Sequence, residues 1–208
     1  MAGPCLDEIK NCGGGADVLK GWKAASRETA LRGLRVLEAL CRQALLGGDR
    51  LKKIKIGGIL QHRSVASITV TGILDRPGVA SRIFRTLGAH QINVEFIVHT
   101  IDEHKRSNVN FCVERKNLVD TLALLEPYRS EIGFTKLVYD QRVGLVSIFG
   151  PHFRERTGIA GILFHALGSA DINILAISTS ISTCTCLIAE QDMDRAVAAL
   201  SEAFELPG

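Results

Sequence analysis

An α+β fold is predicted for this 208-residue chain: two ferredoxin-like βαββαβ units, the first inserted in the second, behind an N-terminal helical extension. Three observations predict it. The sequence repeats at an offset of 80 residues, both copies carry strand and helix patterns in the same order, and the second copy is one strand short. In the repeat, Gly78-Val-Ala-Ser-Arg-Ile-Phe84 returns as Gly158-Ile-Ala-Gly-Ile-Leu-Phe164, Leu87-Gly88 as Leu167-Gly168, and Ile92-Asn93 as Ile172-Asn173. Between Gly78 and His99 there are eight identities in 22 gap-free positions, and four further pairs exchange one apolar residue for another. One structural unit built twice explains this.

In the first copy, Ser67–Leu74 is β-rich and of strand length. Asp75-Arg-Pro-Gly is a turn, with Pro77 near a helix start, where its missing N–H costs nothing. Val79, Ile83, Phe84 and Leu87 follow at helical spacing, and Gly88 marks a stop. Strands are expected over Ile92–Thr100 and Asn108–Glu114, a second helix around Leu118, Leu122 and Leu125, and a fourth strand over Phe134–Tyr139. Two helices on one face of an antiparallel sheet follow from this order.

The second copy reads as strand Val143–Phe149, helix Gly158–Ala170, strands Ile172–Thr179 and Ser182–Ala189, and helix Asp192–Phe204. It has no fourth strand, which would leave backbone groups of its first strand unpaired. The unclaimed strand-like segment Ile54–Leu60 is expected to fill that place, which interlocks the two units.

Composition narrows the function. Hydrophobic residues at 46% and charged residues at 23% describe a globular chain, and 5% aromatics argue against base-stacking nucleic-acid platforms. No apolar run approaches the ~20 residues that span a bilayer, and Met1–Lys20 lacks a basic-then-apolar leader, so neither membrane nor nucleic acid is expected as a partner and the setting is read as cytoplasmic. The six cysteines are accordingly read as reduced thiols. Cys184 and Cys186 share a strand face, where a metal or redox role competes with plain burial; no second ligand pair of zinc spacing accompanies them, and no cofactor is called for. The net charge of +3 conceals a division: residues 1–64 carry 12 Lys/Arg against 6 Asp/Glu, and residues 65–208 carry 13 against 16. The run Arg50, Lys52, Lys53, Lys55 and Arg63 is either a solvated linker or an attractor for phosphates or an acidic partner.

The stretches VTGILDRPGVASRIFRTLGAHQINVEFIV and LVSIFGPHFRERTGIAGILFHALGSADINILAISTS resemble the paired ACT domains at the regulatory end of aspartate kinases. The likeness covers about residues 55–206 and includes both loop motifs, both Ile-Asn strand starts, the Ser178-Thr179-Ser180 turn and the closing Phe204-Glu205-Leu206. It implies an extension over 1–53, a second ACT domain from 54–62 and 143–206, and a first ACT domain over 63–142. It also implies a feedback amino acid as ligand, lysine or threonine foremost, dimerisation through the ACT domains, and a separate aspartate kinase chain as a further partner. Residues 1–54 carry no Lys-Phe-Gly-Gly phosphate loop, and Gly13-Gly14-Gly15 lacks the Lys and Ser/Thr of a phosphate-cradling loop, so no catalytic residues are assigned. Ser26–Leu46 reads as an amphipathic helix that packs on its own domain or docks to a catalytic partner. A shortened aspartate kinase and a ligand-free dimerisation module are the alternative readings.

A free amino acid needs N–H donors for its carboxylate and acceptors for its ammonium. The helix start near Pro77 offers backbone N–H groups at Gly78, Val79 and Ala80, and Gly78 permits close approach. Asp75 can accept from an ammonium, and Asn93 can orient either end. Equally, Asp75 can cap the helix and Asn93 the sheet end. The resemblance adds Val94, Glu95 and His99 in the first unit and Asn173, Ile174, Ser178 and Thr179 in the second, the latter as one wall of a shared site; plain turn hydroxyls are the alternative. His99-Thr100 stands where the family has Gln-Asn, Asn108 where it has Asp, and Ile181-Ser182 where it has Glu-Ile. The loss of two carboxylates weighs against lysine, and His99 adds an imidazole, from which a pH-dependent effector affinity is expected.

Overall fold

The computed structural model describes residues 53–207 apart from 75, 152 and 154–156. The extension expected over 1–53 therefore lies, except for Lys53, outside the described residues, as does Asp75.

The elements are β1 (Ile54–Lys55), β2 (Gly58–Leu74), α1 (Val79–Ala89), β3 (Phe96–Ile101), β4 (Arg106–Glu114), α2 (Leu118–Leu125), β5 (Lys136–Phe149), α3 (Ile159–Ser169), β6 (Ile174–Thr179), β7 (Thr183–Ala189), α4 (Met193–Ala203) and β8 (Phe204–Glu205). Six strands form one sheet in the order β3-β4-β2-β5-β7-β6, and β1 pairs with β8 in parallel. The two central strands belong to both repeats. The first part of β2, Gly58–His62, pairs antiparallel with Leu145–Phe149, while its second part, Val65–Thr71, pairs with Lys136–Val143 of β5 and with β4.

The strand missing from the second repeat is thus supplied by Gly58–His62, and the first repeat is inserted in the second. What the sequence pattern conceals is continuity. Two expected strands on each side of the joint are single strands of 17 and 14 residues, because Gln61–Ser64 and Asp140–Arg142, polar enough to resemble turns, lie on solvated stretches of the ladder. Register shifts on either side of Val65 absorb the change of partner.

Each unit packs its helix pair on one sheet face. Ile68, Val70, Ile83, Leu87, Phe111 and Leu125 form the first core; Val146, Ile148, Leu163, Leu167, Ile188 and Leu200 form the second. Phe84 meets Phe111 edge-to-face in the first core, with ring centroids 5.6 Å apart. A third cluster lies on the opposite faces, where Val65, Phe96, Cys112, Val143, Leu145 and Leu187 are buried together. The outer strands β3 and β6 approach each other here through Val98 and Ala176. Their other sides are open, with Ile97 45%, Ile101 54%, Leu175 49% and Ile177 40% exposed. No helix among the described residues is long and apolar enough to cross a membrane.

Candidate functional site

The two repeats build their helix starts alike. Gly78 precedes α1 with φ 94° and ψ −7°, and Gly158 precedes α3 with φ 86° and ψ −2°. A left-handed residue at that place is why glycine recurs at this offset, since any Cβ would strain the backbone. A Cβ at either position would otherwise meet open space, nothing lying within 4 Å. Glycine also has no side chain to close the N–H groups of the first turn. The helix ends match as well. Gln91 (φ 58°) and Asp171 (φ 54°) are left-handed, and Ile92 and Ile172 each donate an N–H back to a carbonyl, of Leu87 and Leu167, at 3.0 Å.

Around the first start, Pro77, Gly78 and Ala80 are exposed, and Val79 turns its side chain toward the first core. The Val79 N–H reaches the Arg76 carbonyl at 3.4 Å, a long contact. Asn93, Val94 and Glu95 precede β3 and are not within it, a correction to the strand expected from Ile92. Val94 packs on the core, while exposed Asn93 donates from Nδ2 to Glu95 Oε1 at 2.7 Å. That bond orients the carboxylate and leaves the amide oxygen of Asn93 as an acceptor. His99 is exposed on β3, opposite Val109.

Asn108 has a structural task that the sequence pattern did not reveal. Its Oδ1 accepts the N–H of Gly72 at 3.0 Å, where β2 bulges between Val70 and Ile73. Gly72 has φ 70°, and a Cβ there would lie 2.3 Å from Thr135 Oγ1. A glycine inside a strand pattern was the available signal of a bulge.

In the second unit, Thr179 lines a cavity of about 250 Å³ with Phe153, Gly158, Ile159, Ser180 and Cys184. Thr179 therefore faces the helix start of its own unit. Ser178 is half-buried opposite Thr185, Asn173 is exposed, and Ile174 packs on the second core. The hydroxyl of Ser180 is spent locally: it shares a bond with Thr183 Oγ1 at 2.7 Å and accepts the Thr183 N–H at 3.0 Å. For Ser180 the turn-hydroxyl reading holds. The cavity itself was missed because Phe153 and Cys184 lie far apart in sequence and carry no motif.

Cys184 and Cys186 are both buried in the second core, and burial pushes their thiols up, Cys186 to about 12. Protonated thiols are poor nucleophiles and poor ligands. Among the described residues no group of three metal-ligating side chains forms.

Two ACT-domain profiles match the chain, over residues 66–133 and 146–204. It is 32% identical to a chain in the crystal structure of aspartokinase alpha and beta subunits, covering 97% of that chain and 71% of its own length, with a TM-score of 0.66. The chain belongs to the aspartokinase family, as its tandem ACT regulatory pair. The regulatory subunit of aspartate kinase from Thermus thermophilus is similar too, at 28% identity and TM-score 0.67, with 99% of that subunit and 72% of this chain aligned. Aspartokinase from Mycolicibacterium smegmatis is 36% identical over 153 residues, which are 73% of this chain and 36% of that protein. The chain thus spans about a third of that longer relative.

Proposed function

We propose that this ACT pair senses a free amino acid and regulates an aspartate kinase catalytic chain, with Asp75, Pro77, Gly78, Val79, Ala80, Asn93, Val94, Glu95 and His99 forming the first effector site and Asn173, Ile174, Ser178 and Thr179 contributing from the second unit. The observation that supports this reading is the exposed helix start behind left-handed Gly78, which has no side-chain cap; the Asn93–Glu95 pair lies beyond the other end of α1. First-turn N–H groups suit a carboxylate, and Glu95 suits an ammonium. The domain bounds 54–62 with 143–206, and 63–142, accompany this reading. Two copies associate through the open edges of β3 and β6, whose exposed Ile97, Ile101, Leu175 and Ile177 gain cover. A cytoplasmic setting and a role in lysine or threonine synthesis belong to the same proposal.

Calorimetry of the chain against lysine, threonine and methionine tests it. Millimolar affinity requires about 4 kcal/mol. Heat with one of them is the expected result; none with any of them at millimolar ligand favours the ligand-free dimerisation reading. An ATP- and aspartate-dependent assay on the chain alone is expected to give no phosphotransfer.

A further inference from the structure

The two repeats meet at a charged joint. β2 and β5 run antiparallel and exchange partners around the facing pair Val65–Val143, so the repeats are related there by an approximate twofold. The ladder skips from His62 to Val65, which leaves the Arg63 carbonyl outside it. Arg115 fills that gap: its Nη2 donates to the Arg63 carbonyl at 2.7 Å and lies 2.9 Å from Glu190 Oε1. Arg63 in turn reaches Asp194 at 2.5 Å, near the start of α4, and its Nη2 also donates to Gln61 Oε1 at 2.9 Å. One cation from the end of β4 thus holds both the strand switch and an acid from the end of β7.

Arg115 and Glu190 occupy corresponding positions. Each opens the 3₁₀ turn that follows the third strand of its unit, Arg115–Asn117 after β4 and Glu190–Asp192 after β7. Identical side chains facing across a twofold would repel, whereas these attract. The duplication has diverged to opposite charge at this contact between the two turns. Both side chains are about two-thirds covered, at 36% and 34% exposure, which spares the pair part of the screening of a surface ion pair.

We infer that Arg115, Glu190 and the Arg63 carbonyl form a clamp that makes the two units open together, so that a packing change in one unit reaches the other at the strand switch. This goes beyond effector recognition and does not depend on which amino acid binds. Hydrogen exchange of the full chain without effector reads it directly, through peptides covering Val109–Val113 of the first unit and Cys184–Ile188 of the second. In the unaltered chain both are expected to open with a common protection factor. Arg115→Glu sets like charges together and is expected to separate the two by about five-fold or more; Glu190→Arg added to it rebuilds the ion pair without the donor to the Arg63 carbonyl and restores the common value in part. Should Arg115→Glu fail to fold, Glu190→Gln is expected to separate the two peptides in the same direction by a smaller factor. Unequal protection in the unaltered chain, no restoration in the double reversal, or no separation in the milder variant overturns the clamp.

Discussion

The two helix starts share a backbone and differ in what surrounds it. Gly78 and Gly158 agree within about ten degrees in both dihedral angles, and the helix ends they lead to each close with a left-handed residue at the same place. Yet the first repeat carries an oriented amide–carboxylate pair beyond the far end of its helix, and the second helix start opens on a cavity lined by a ring, hydroxyls and a buried thiol. Duplication kept what the chain must do to turn and released what a ligand would touch. A position that recurs in both copies with the same backbone conformation, as Gly78 and Gly158 do, is therefore evidence about the fold.

The largest expected effect tests whether the units are energetically one body. Leu87 and Leu167 are corresponding, fully buried core residues in separate clusters. Leu87→Ala and Leu167→Ala should each cost about 2–5 kcal/mol. Because β2 and β5 run through both units, each variant should shift a single urea transition of the whole pair. Two transitions, with one unit unmoved, would separate the regions that the shared strands are held to join.

This interlock was legible from the sequence, for a physical reason: a strand count is a hydrogen-bond count, and the second repeat was one strand short. Continuity through Gln61–Ser64 and Asp140–Arg142 was not legible, because polar residues on a solvated ladder look like turns. Around the helix starts, Gly78 and Gly158 could be read because the backbone conformation calls for glycine there in both copies. The bond from Gly72 to Asn108 and the cavity beside Phe153 could not, since both depend on side chains brought together from different strands and loops.

A smaller effect sharpens the comparison of the helix starts. Gly78→Ala and Gly158→Ala meet no neighbour, so each should cost only the left-handed strain of about 1–2 kcal/mol, equally in both units, by thermal unfolding. Effector binding should not be equal. If the first start is the cradle, Gly78→Ala weakens binding more than Gly158→Ala does, and equal losses would assign the second cavity a ligand of its own.

Alkaline pH separates the joint from the second core. Burial pushes the thiols of Cys112, in the cluster between the units, and Cys186, in the second core, up to about 12 from an ordinary 9.0. Folding holds the neutral thiol, so this contribution is whole below pH 9.0 and is lost as pH rises from there toward 12. By about pH 10 each thiol should lower stability by about 1 kcal/mol. Urea midpoints at neutral and alkaline pH check this. Cys112→Val should remove the share belonging to the joint and leave that of Cys186.

The smallest stability effect carries the sharpest functional difference. Asn93 and Asn173 recur at the same place in the two repeats and are both exposed. Asn93 alone is shown bonded to a carboxylate two residues on, because the second repeat has Leu175 where the first has Glu95. Either asparagine replaced by Ala should change stability by no more than about 0.5 kcal/mol, as for exposed positions generally. Binding should divide them: Asn93→Ala frees Glu95 to move and removes a polar contact, for a loss of about ten-fold in affinity by calorimetry. Asn173→Ala has no carboxylate to release and should lose less. If the two variants bind alike, the charge placed by Glu95 is not what distinguishes the units, and recognition rests on the helix starts they share.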